Sequence, residues 1–362
     1  MRRCIRYSLT IVALVSLLLS CNNSSNPDRQ FKIKPSALGV MNEIVVITDD
    51  DLWSSIVGDT IRHYFEGVFP LTPRPEPIFD IRQYDPLEIY SQPLKKELRT
   101  YFIIANLDDT ESETTKFVVK DLGEERLRRA KTEPNFNTSV GRDKWANGQI
   151  LMYLFAHGTD NLAAAVERNY NGISGKVNDH DRVQLEQVTY ARGRNNGFKS
   201  NMLGRYGAEI EIPSDFITVL NAPEDNGLYW FRKDTKDGAF NMAFRIFDYT
   251  GPEMVTKEAM KERFNDFGRY VSSKEPNTFI LINDEDLPIL EFERTISTRY
   301  TKECRGIWEM ENDFMGGPFI SYAIVNEKTG KLLVIDSFVF APGKRKRDIL
   351  QQVDHIVKGI KW

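Results

Sequence analysis

The first half of the chain alternates short apolar runs with stretches of helical period. Unbroken runs rich in Ile, Val and Leu at residues 43–48, 99–107 and 149–156 predict strands that are buried on both faces. A shorter strand is predicted at residues 78–81. Between these strands, apolar residues recur every three to four positions, which is the spacing of a core-facing helix surface. The alternation predicts an α/β sandwich domain that extends to about residue 190.

Acidic and hydroxyl residues mark the expected helix starts. Asp49, Asp50 and Asp51 follow the first strand, and carboxylates there cap free N–H groups and meet the positive end of the helix dipole. Thr159 and Asp160 predict another helix start, and residues 178–181 (Asn-Asp-His-Asp) predict the cap of a separate helix at 177–191. The three aspartates and residues 178–181 could each bind a cation instead, but capping is the expected role of both groups, and residues 178–181 lack a further ligand at metal spacing.

The second half has a different pattern. Residues 192–197 (Arg-Gly-Arg-Asn-Asn-Gly) are polar, glycine-rich and aperiodic, which indicates a boundary. Beyond it we expect short strands, a half-solvated strand at 240–249 and a long alternating strand at 290–300. Residues 319–326 and 332–340 should pair as a hairpin across Glu-Lys-Thr-Gly at 327–330. Helices are expected at 257–270 and at the C-terminus.

The N-terminal segment predicts export and lipid attachment. Three arginines and no acidic residue precede an apolar run that is too short to span a bilayer and has signal-peptide proportions. The run ends Leu-Leu-Ser-Cys, which resembles the lipobox of bacterial lipoproteins. We expect cleavage before Cys21 and a lipid anchor on that cysteine; the alternative is an ordinary secretory signal. More than one acyl chain on Cys21 would make the anchoring stable.

These patterns together predict an α+β fold with two α/β sandwich-type domains, whose largely antiparallel sheets are covered by helices. Residues 22–37 are mostly polar with two prolines, as in a flexible tether with a span of about 20–25 Å. The predicted division of the chain is a signal peptide at 1–20, a lipidated cysteine and tether at 21–38, an N-terminal domain at 39–191, a linker at 192–204 and a C-terminal domain at 205–362.

Composition excludes several function classes. Loss of residues 1–20 removes three arginines and no acid, which takes the formal net charge from −4 to −7 and argues against a nucleic-acid binder. Of the three cysteines, Cys4 lies in the signal segment and Cys21 carries the lipid, so Cys304 has no partner for an intramolecular disulfide. We expect Cys304 to be a small buried residue.

Sequence motifs for catalysis and for cofactor binding are missing. The chain has no His-Glu-x-x-His, no Gly-x-Ser-x-Gly, no glycine-rich phosphate loop and no dinucleotide fingerprint. Its four histidines are scattered over both halves. We therefore assign no catalytic residue, metal site or cofactor. Carboxylate pairs are plentiful, and a two-carboxylate glycosidase stays open because its defining distance is three-dimensional.

Two segments are candidate contact surfaces. Lys344, Arg345, Lys346 and Arg347 precede the last helix, where cations oppose the helix dipole. They could contact an anionic partner such as a lipid headgroup, a glycolipid phosphate or an acidic protein face; the alternative is a solvated basic turn.

The second segment places aromatic residues beside glycines in an expected loop. It contains Trp308, Phe314, Gly316 and Gly317 and could contact a ligand or partner. The alternative is that its aromatic residues belong to the core that leads into the hairpin.

The chain also resembles a known family. The Leu-Ser-Cys lipobox, the strand at 42–46 before an acid-capped helix, and the segment from Gly-Ile-Trp at 306–308 to Gly-Gly-Pro-Phe at 316–319 resemble an uncharacterised lipoprotein family of the Bacteroidota. The resemblance covers nearly the whole mature chain and implies a Gram-negative envelope location. That family has no assigned activity, so it implies no site residues. The element order of the second half resembles the photosystem-II extrinsic-protein/nuclear-import-factor sandwich fold.

The expected function is that of a membrane-anchored envelope lipoprotein that binds or helps to assemble a partner without catalysis. The alternatives are an envelope glycan or peptide hydrolase and a small-ligand carrier. The expected partners are membrane lipid through Cys21 and an envelope protein or anionic glycolipid, with no nucleic acid. We expect the outer membrane, because Asn22 rather than Asp follows Cys21, as in enteric lipoproteins that are released to the outer membrane. We expect the periplasmic side, because the residues after Cys21 lack the acidic run that resembles a surface-export signal.

Overall fold

The structure is a computed structural model that describes residues 34–70, 72–133 and 135–362. The predicted signal peptide, Cys21 and most of the predicted tether lie outside the described residues. The last residues of the predicted tether are bound to the fold: the N–H of Ala37 donates to Asn147 at 2.8 Å, and the N–H of Leu38 donates to Glu97 at 2.6 Å. The tether is therefore shorter at this end than predicted.

The N-terminal unit is a five-stranded sheet between two layers of helices. Its strands are β1 (Glu43–Ile47), β2 (Asp80–Tyr84), β3 (Thr100–Asn106), β4 (Thr138–Arg142) and β5 (Ile150–Ala156). Its helices are α1 (Asp50–Trp53), α2 (Ile56–Phe65), α3 (Pro86–Ser91), α4 (Glu113–Leu122), α5 (Glu124–Thr132) and α6 (Thr159–Thr189), with a 3-10 helix at Pro93–Glu97.

The strand order of this sheet is β2-β1-β3-β5-β4, and only β4 runs antiparallel to its neighbour. The sheet departs in this respect from the antiparallel expectation, because helices connect β1 to β2 and β2 to β3 and so return the chain to the same edge. The three predicted apolar strands are confirmed. Helix α2 packs Ile61 and Phe65 on one face of the sheet, and α4 packs Phe117 and Val118 on the other.

The residues after β5 form one helix of 31 residues, not the two helices predicted. The predicted cap at 178–181 lies inside this helix, and Asp181 is only 6% exposed. Its carboxylate accepts the N–H of Asn42 at 2.7 Å and faces the guanidinium of Arg99 at 3.4 Å. Asp181 therefore fastens the helix to the start of β1, a role that local sequence does not distinguish from capping.

The C-terminal unit is a single antiparallel sheet. Its strands are β6 (Ile217–Ala222), β7 (Leu228–Thr235), β8 (Gly238–Asp248), β9 (Phe279–Asn283), β10 (Leu290–Ile296), β11 (Arg299–Glu311), β12 (Gly316–Asn326) and β13 (Lys331–Phe340). Its helices are α7 (Asn196–Tyr206), α8 (Lys257–Gly268) and α9 (Arg347–Lys358), with a 3-10 helix at Pro252–Val255. The order is β10-β11-β12-β13-β8-β7-β6, and β9 pairs with β11. The α+β class with two sheets is confirmed.

Both faces of the eight-stranded sheet are covered by helices. Helices α7 and α9 pack on one face, and α8 packs on the other. Strand β8 is consequently buried on both faces and is not half-solvated as predicted, with Phe244 at 0% and Ala243 at 1% exposure. No helix among the described residues has the length and hydropathy needed to cross a bilayer.

In this unit the predictions of one long strand and of a linker are wrong, and the prediction of a hairpin is confirmed. The predicted strand at 290–300 turns back on itself, because Ser297 and Thr298 adopt φ values of 49° and 65° between β10 and β11. The predicted linker 192–204 contains most of α7. The hairpin prediction is confirmed, since Asn326 pairs with Lys331 across the turn at 327–330.

Candidate functional site

A crevice opens at the carboxyl ends of β1 and β3. Strand β1 is flanked by β2 on one side and by β3 on the other, so the order of the strands reverses at β1. The helices that follow these two strands, α2 and α4, pack on opposite faces of the sheet. Open α/β sheets bind their ligands in the crevice at such a reversal of strand order. The geometry of the sheet therefore marks this edge as the candidate site.

A polar pocket of about 460 Å³ occupies the crevice. Residues that follow β1 and β3 line most of it: Asp49, Asp51, Leu52, Ser55, Asn106, Asp109, Glu111, Ser112, Glu113 and, from α6, Thr159. Five of these side chains are carboxylates, so the pocket is negatively charged. Lys116 offsets part of this charge, because its ammonium lies 3.2 Å from Glu113 and 3.6 Å from Glu111. No group of three His, Cys, Asp or Glu in the described parts of the chain could hold a metal ion.

Hydrogen bonds fix the loops around this pocket. The Asp49 carboxylate accepts the hydroxyl of Ser112 and, at 3.3 Å, the N–H of Thr114. The Asn106 side-chain oxygen accepts the N–H of Gly158 at 2.9 Å, which joins the end of β3 to the start of α6. These hydrogen bonds connect the loops that form the walls, so the pocket is preformed.

An apolar groove of about 430 Å³ lies beside the pocket, beyond the loop 107–113. It runs between α4, α5 and the ends of β3 and β5, and its lining consists of Leu107, Thr110, Thr115, Lys116, Val119, Glu124, Leu127, Arg128, Lys131 and His157. The pocket and the groove therefore share one edge of the sheet but have opposite charge.

His157 and Asp108 form a hydrogen-bonded pair at this edge. The distance from His157 Nδ1 to Asp108 Oδ1 is 2.7 Å, and each residue lies just after a parallel strand. In the described residues, no other side chain bonds to the His157 ring. A nucleophilic hydroxyl or thiol would need contact with the ring to be activated, so the pair on its own does not form a catalytic dyad.

Arg347 of the predicted basic surface is buried between the two units. Its side chain is 2% exposed and donates to Asp80 at 2.9 Å and to the carbonyl of Pro77 at 2.7 Å. Arg345 donates to the same Asp80 carboxylate at 2.7 Å. Burial alone would raise the pKa of Asp80, but the hydrogen bonds and positive charges of Arg347 and Arg345 lower that pKa below its usual value.

Glu76 supplies a negative charge at the start of α9, where the basic run is unfavourable to the helix dipole. Its carboxylate is buried and accepts the N–H groups of Lys346 at 2.8 Å and of Arg347 at 2.9 Å. A carboxylate from the other unit therefore supplies the negative charge that the start of the helix favours. We call the contacts of Glu76 and Asp80 with residues 345–347 the inter-unit clasp.

The expectation of a four-cation contact surface is corrected by this arrangement. Lys346 and Arg347 are 7% and 2% exposed, because their partners in the other unit cover them. The side chains of Lys344 and Arg345 stay 57% and 61% exposed, although each also pairs with an aspartate.

The predicted aromatic loop is mostly hairpin and core. Trp308 lies in β11, is 2% exposed and donates its indole N–H to the Val339 carbonyl at 3.2 Å. A Cβ on Gly317 would lie 2.0 Å from that same carbonyl oxygen, and a Cβ on Gly316 would lie 2.9 Å from the Trp308 carbonyl oxygen. These three residues serve packing. Phe314 alone is fully exposed, at the tip of the β11–β12 hairpin.

Two carboxylates do converge in the C-terminal unit, the buried Glu303 and the half-buried Asp354, but on an arginine. Arg305 donates to Glu303 at 2.5 Å and to Asp354 of α9 at 2.8 Å. Tyr322 also donates to Asp354, and burial first, then the nearby negative charge, raises the pKa of Tyr322 well above its usual value. This network attaches α9 to the sheet. Glu303 also pairs with Arg294 at 2.9 Å, so both carboxylates are held in ion pairs and are not free to act as an acid–base pair.

Family comparisons divide the chain in the same two parts. Residues 37–190 match the model of a domain of unknown function, DUF8532, and residues 196–359 match that of another, DUF4837. Both matches are to domains of unknown function, and we name the two matched parts the DUF8532 domain and the DUF4837 domain. The expectation of an uncharacterised family is thereby confirmed. The pocket and groove belong to the DUF8532 domain, and the inter-unit clasp joins it to the DUF4837 domain.

Solved structures provide only distant likenesses. The Ran-binding protein Mog1p of Saccharomyces cerevisiae matches with a TM-score of 0.28 and 12% identity, over 43% of this chain and 91% of that chain. The human StarD13 lipid transfer and protein localization domain matches with a TM-score of 0.20 and 14% identity, over 45% and 93%. At these TM-scores neither match carries an argument. No curated protein matches the chain.

Sequence reasoning missed the residues of the DUF8532 edge. Asp108 and His157 were each visible as polar residues that directly follow an apolar strand. Arg128 and Lys131 were visible only as part of a charged helix. The missing information was the parallel direction of β1, β3 and β5, which brings their carboxyl ends to one edge.

Proposed function

We propose that this protein is a membrane-anchored lipoprotein of the cell envelope that acts by binding, through the carboxyl edge of the DUF8532 sheet. The observation that carries the proposal is the path of the chain into this domain. Ser36 pairs beside Asn147 and Leu38 beside Leu98, just before β5 and β3, so the chain arrives at the amino edge. A lipid on Cys21 would hold that edge towards the membrane.

The pocket and groove open at the other edge. Strand β3 has 7 residues, which separates the two edges by about 20–25 Å. The volumes of about 460 and 430 Å³ are in the range of small-molecule sites. An anchored protein with this arrangement presents its ligand-sized cavities away from the bilayer surface.

Ion pairing and solvent exposure of the carboxylates favour binding over hydrolysis. Glu303 and Asp354 converge on Arg305, and Asp109 and Glu111 of the polar pocket are solvent-exposed. A glycosidase needs one carboxyl group in an environment that keeps it protonated. In the proposal the partner is an envelope component reached from the outer membrane on its periplasmic side.

The anchor is tested by Cys21→Ala in the full chain. We expect loss of labelling by a fatty-acid analogue and release of the protein from membrane fractions. Cys304→Ala is the matched control and should leave labelling and membrane attachment unchanged, because Cys304 is buried. Persistent labelling and membrane attachment of Cys21→Ala would refute the proposed anchor.

A further inference from the structure

The groove between α4 and α5 has an apolar floor. Leu127 is 6% exposed and Thr115 is 4% exposed, and both residues line the groove. Leu107 and Val119 are half-buried and pack against the core below them. A ligand that covers this floor removes apolar surface from water, which favours a hydrocarbon chain.

The rim of the groove is cationic. Lys116, Arg128, Lys131 and His157 line it, against the single carboxylate of Glu124 among the lining residues. Lys116 and His157 already pair with acids of the loop 107–113. Arg128 and Lys131 are exposed, and within the described residues neither has a carboxylate closer than 4 Å. Two cations are therefore available beside the apolar floor.

We propose that this groove binds an acyl chain that ends in an anionic group, a carboxylate or a phosphate. The inference rests on the proposed function, since it takes the carboxyl edge as the binding face, and it adds the ligand class. The chain would lie over Leu107, Val119 and Leu127, and the anionic group would meet Arg128 and Lys131. A guanidinium and an ammonium bind carboxylate and phosphate oxygens by charge-assisted hydrogen bonds.

Two other occupants fit the groove less well. A cationic amphiphile would meet the repulsion of the rim, whereas the neighbouring acidic pocket would attract its head. A folded protein partner needs about 800 Å² of surface from each side. The groove is bounded by helices of 10 and 9 residues, each about 15 Å long or less.

The test is photo-crosslinking of the purified full chain in nonionic detergent with a diazirine analogue of palmitate. We expect adducts on peptides that cover residues 107–131. Palmitate and a lysophosphatidic acid should compete at about tenfold lower concentration than hexadecylamine, since each charge-assisted hydrogen bond is worth about that factor. The better competitor of the two anions identifies the headgroup as carboxylate or phosphate.

Charge reversal supplies the matched variants. Arg128→Glu with Lys131→Glu should lower the adduct yield about tenfold. Lys120→Glu on α4 with Arg126→Glu on α5 changes the net charge by the same amount outside the groove lining and should leave the yield unchanged. Val119→Trp should fill the groove and also abolish the adduct.

The inference is overturned if adducts map elsewhere, if both charge reversals act equally, or if hexadecylamine competes as well as palmitate. The crosslinking results do not depend on the lipid anchor, because binding is measured on purified protein. If Cys21→Ala fails to release the protein from membranes, the proposed function is contradicted, but the crosslinking results and the proposed ligand class are not affected.

Discussion

Arg347 donates to the carboxylate of Asp80 at 2.9 Å, across a separation of 267 residues and between two domains. The arginine is almost completely buried, and its neighbours in sequence make further contacts with the DUF8532 domain. The basic run suggests an external partner, but its residues make ion pairs and hydrogen bonds with other residues of the same chain. The clasp also fastens the DUF4837 domain to the DUF8532 domain.

The clasp should make stability depend on acid pH. Asp80 has a lower pKa in the folded protein than its unfolded value of 3.8, so its ionised form stabilises the fold above that pH. This contribution is lost as the pH falls through the folded-state pKa. We expect Asp80→Asn to lower the free energy of unfolding by about 2 kcal/mol at pH 7. Urea denaturation at pH 7 and pH 3 should show the difference from the parent shrinking at the lower pH; an equal difference at both would contradict this.

Glu76→Gln should destabilise the inter-domain contact. The buried carboxylate accepts two N–H groups at the start of α9, and an amide has one acceptor oxygen and a donor where an acceptor is needed. We expect a loss of about 1–3 kcal/mol in the free energy of unfolding. Glu66→Gln, at an exposed position, is the control and should change it by less than about 0.5 kcal/mol. Equal effects would show that Glu76 is not a structural cap.

The aromatic residues of the β11–β12 hairpin should differ sharply in how much they contribute to the stability of the fold. Trp308→Ala removes a buried indole and its hydrogen bond to Val339 and should cost about 3–5 kcal/mol. Phe314→Ala removes an exposed ring and should change stability by less than about 0.5 kcal/mol. Thermal unfolding of the two variants measures both effects. A large loss for Phe314→Ala would mean that the tip packs against something within the protein.

Cys304 should be unreactive in the native protein. Burial first, then the negative charge of Glu291, raises the pKa of its thiol to about 12, so little thiolate forms at pH 8. We expect negligible reaction with a maleimide before denaturation and complete reaction in concentrated guanidinium. Rapid native labelling that maps to the peptide containing Cys304 would contradict the buried position.

The elements that sequence predicts well are those whose signal is local. The apolar runs of β1, β3 and β5 are buried on both faces as expected. The turn at 327–330 and the apolar stripe of α9, with Leu350 and Val353 buried, are also confirmed. In each case neighbouring residues carry the whole pattern, because strand and helix periods fix which side chains share a face.

The features that sequence reasoning missed depend on distant residues. Asp181 looks like a helix cap until Asn42 and Arg99 are placed beside it. Arg347 looks solvated until Asp80 is placed beside it. The candidate site depends on the order β2-β1-β3-β5-β4, which no local pattern determines. Strand direction decides which polar residues meet at one edge, and this direction is set by packing of the connecting helices.

The most direct test of the central claim is site-specific photo-crosslinking in living cells. A photoactivatable phenylalanine analogue replaces Thr110, an exposed residue of the carboxyl edge, or Leu94, a 70% exposed residue beside the amino edge. We expect a reproducible envelope adduct from position 110 and none of the same mass from position 94. Absence of an adduct at 110, or the same adduct at both positions, would contradict binding through the carboxyl edge.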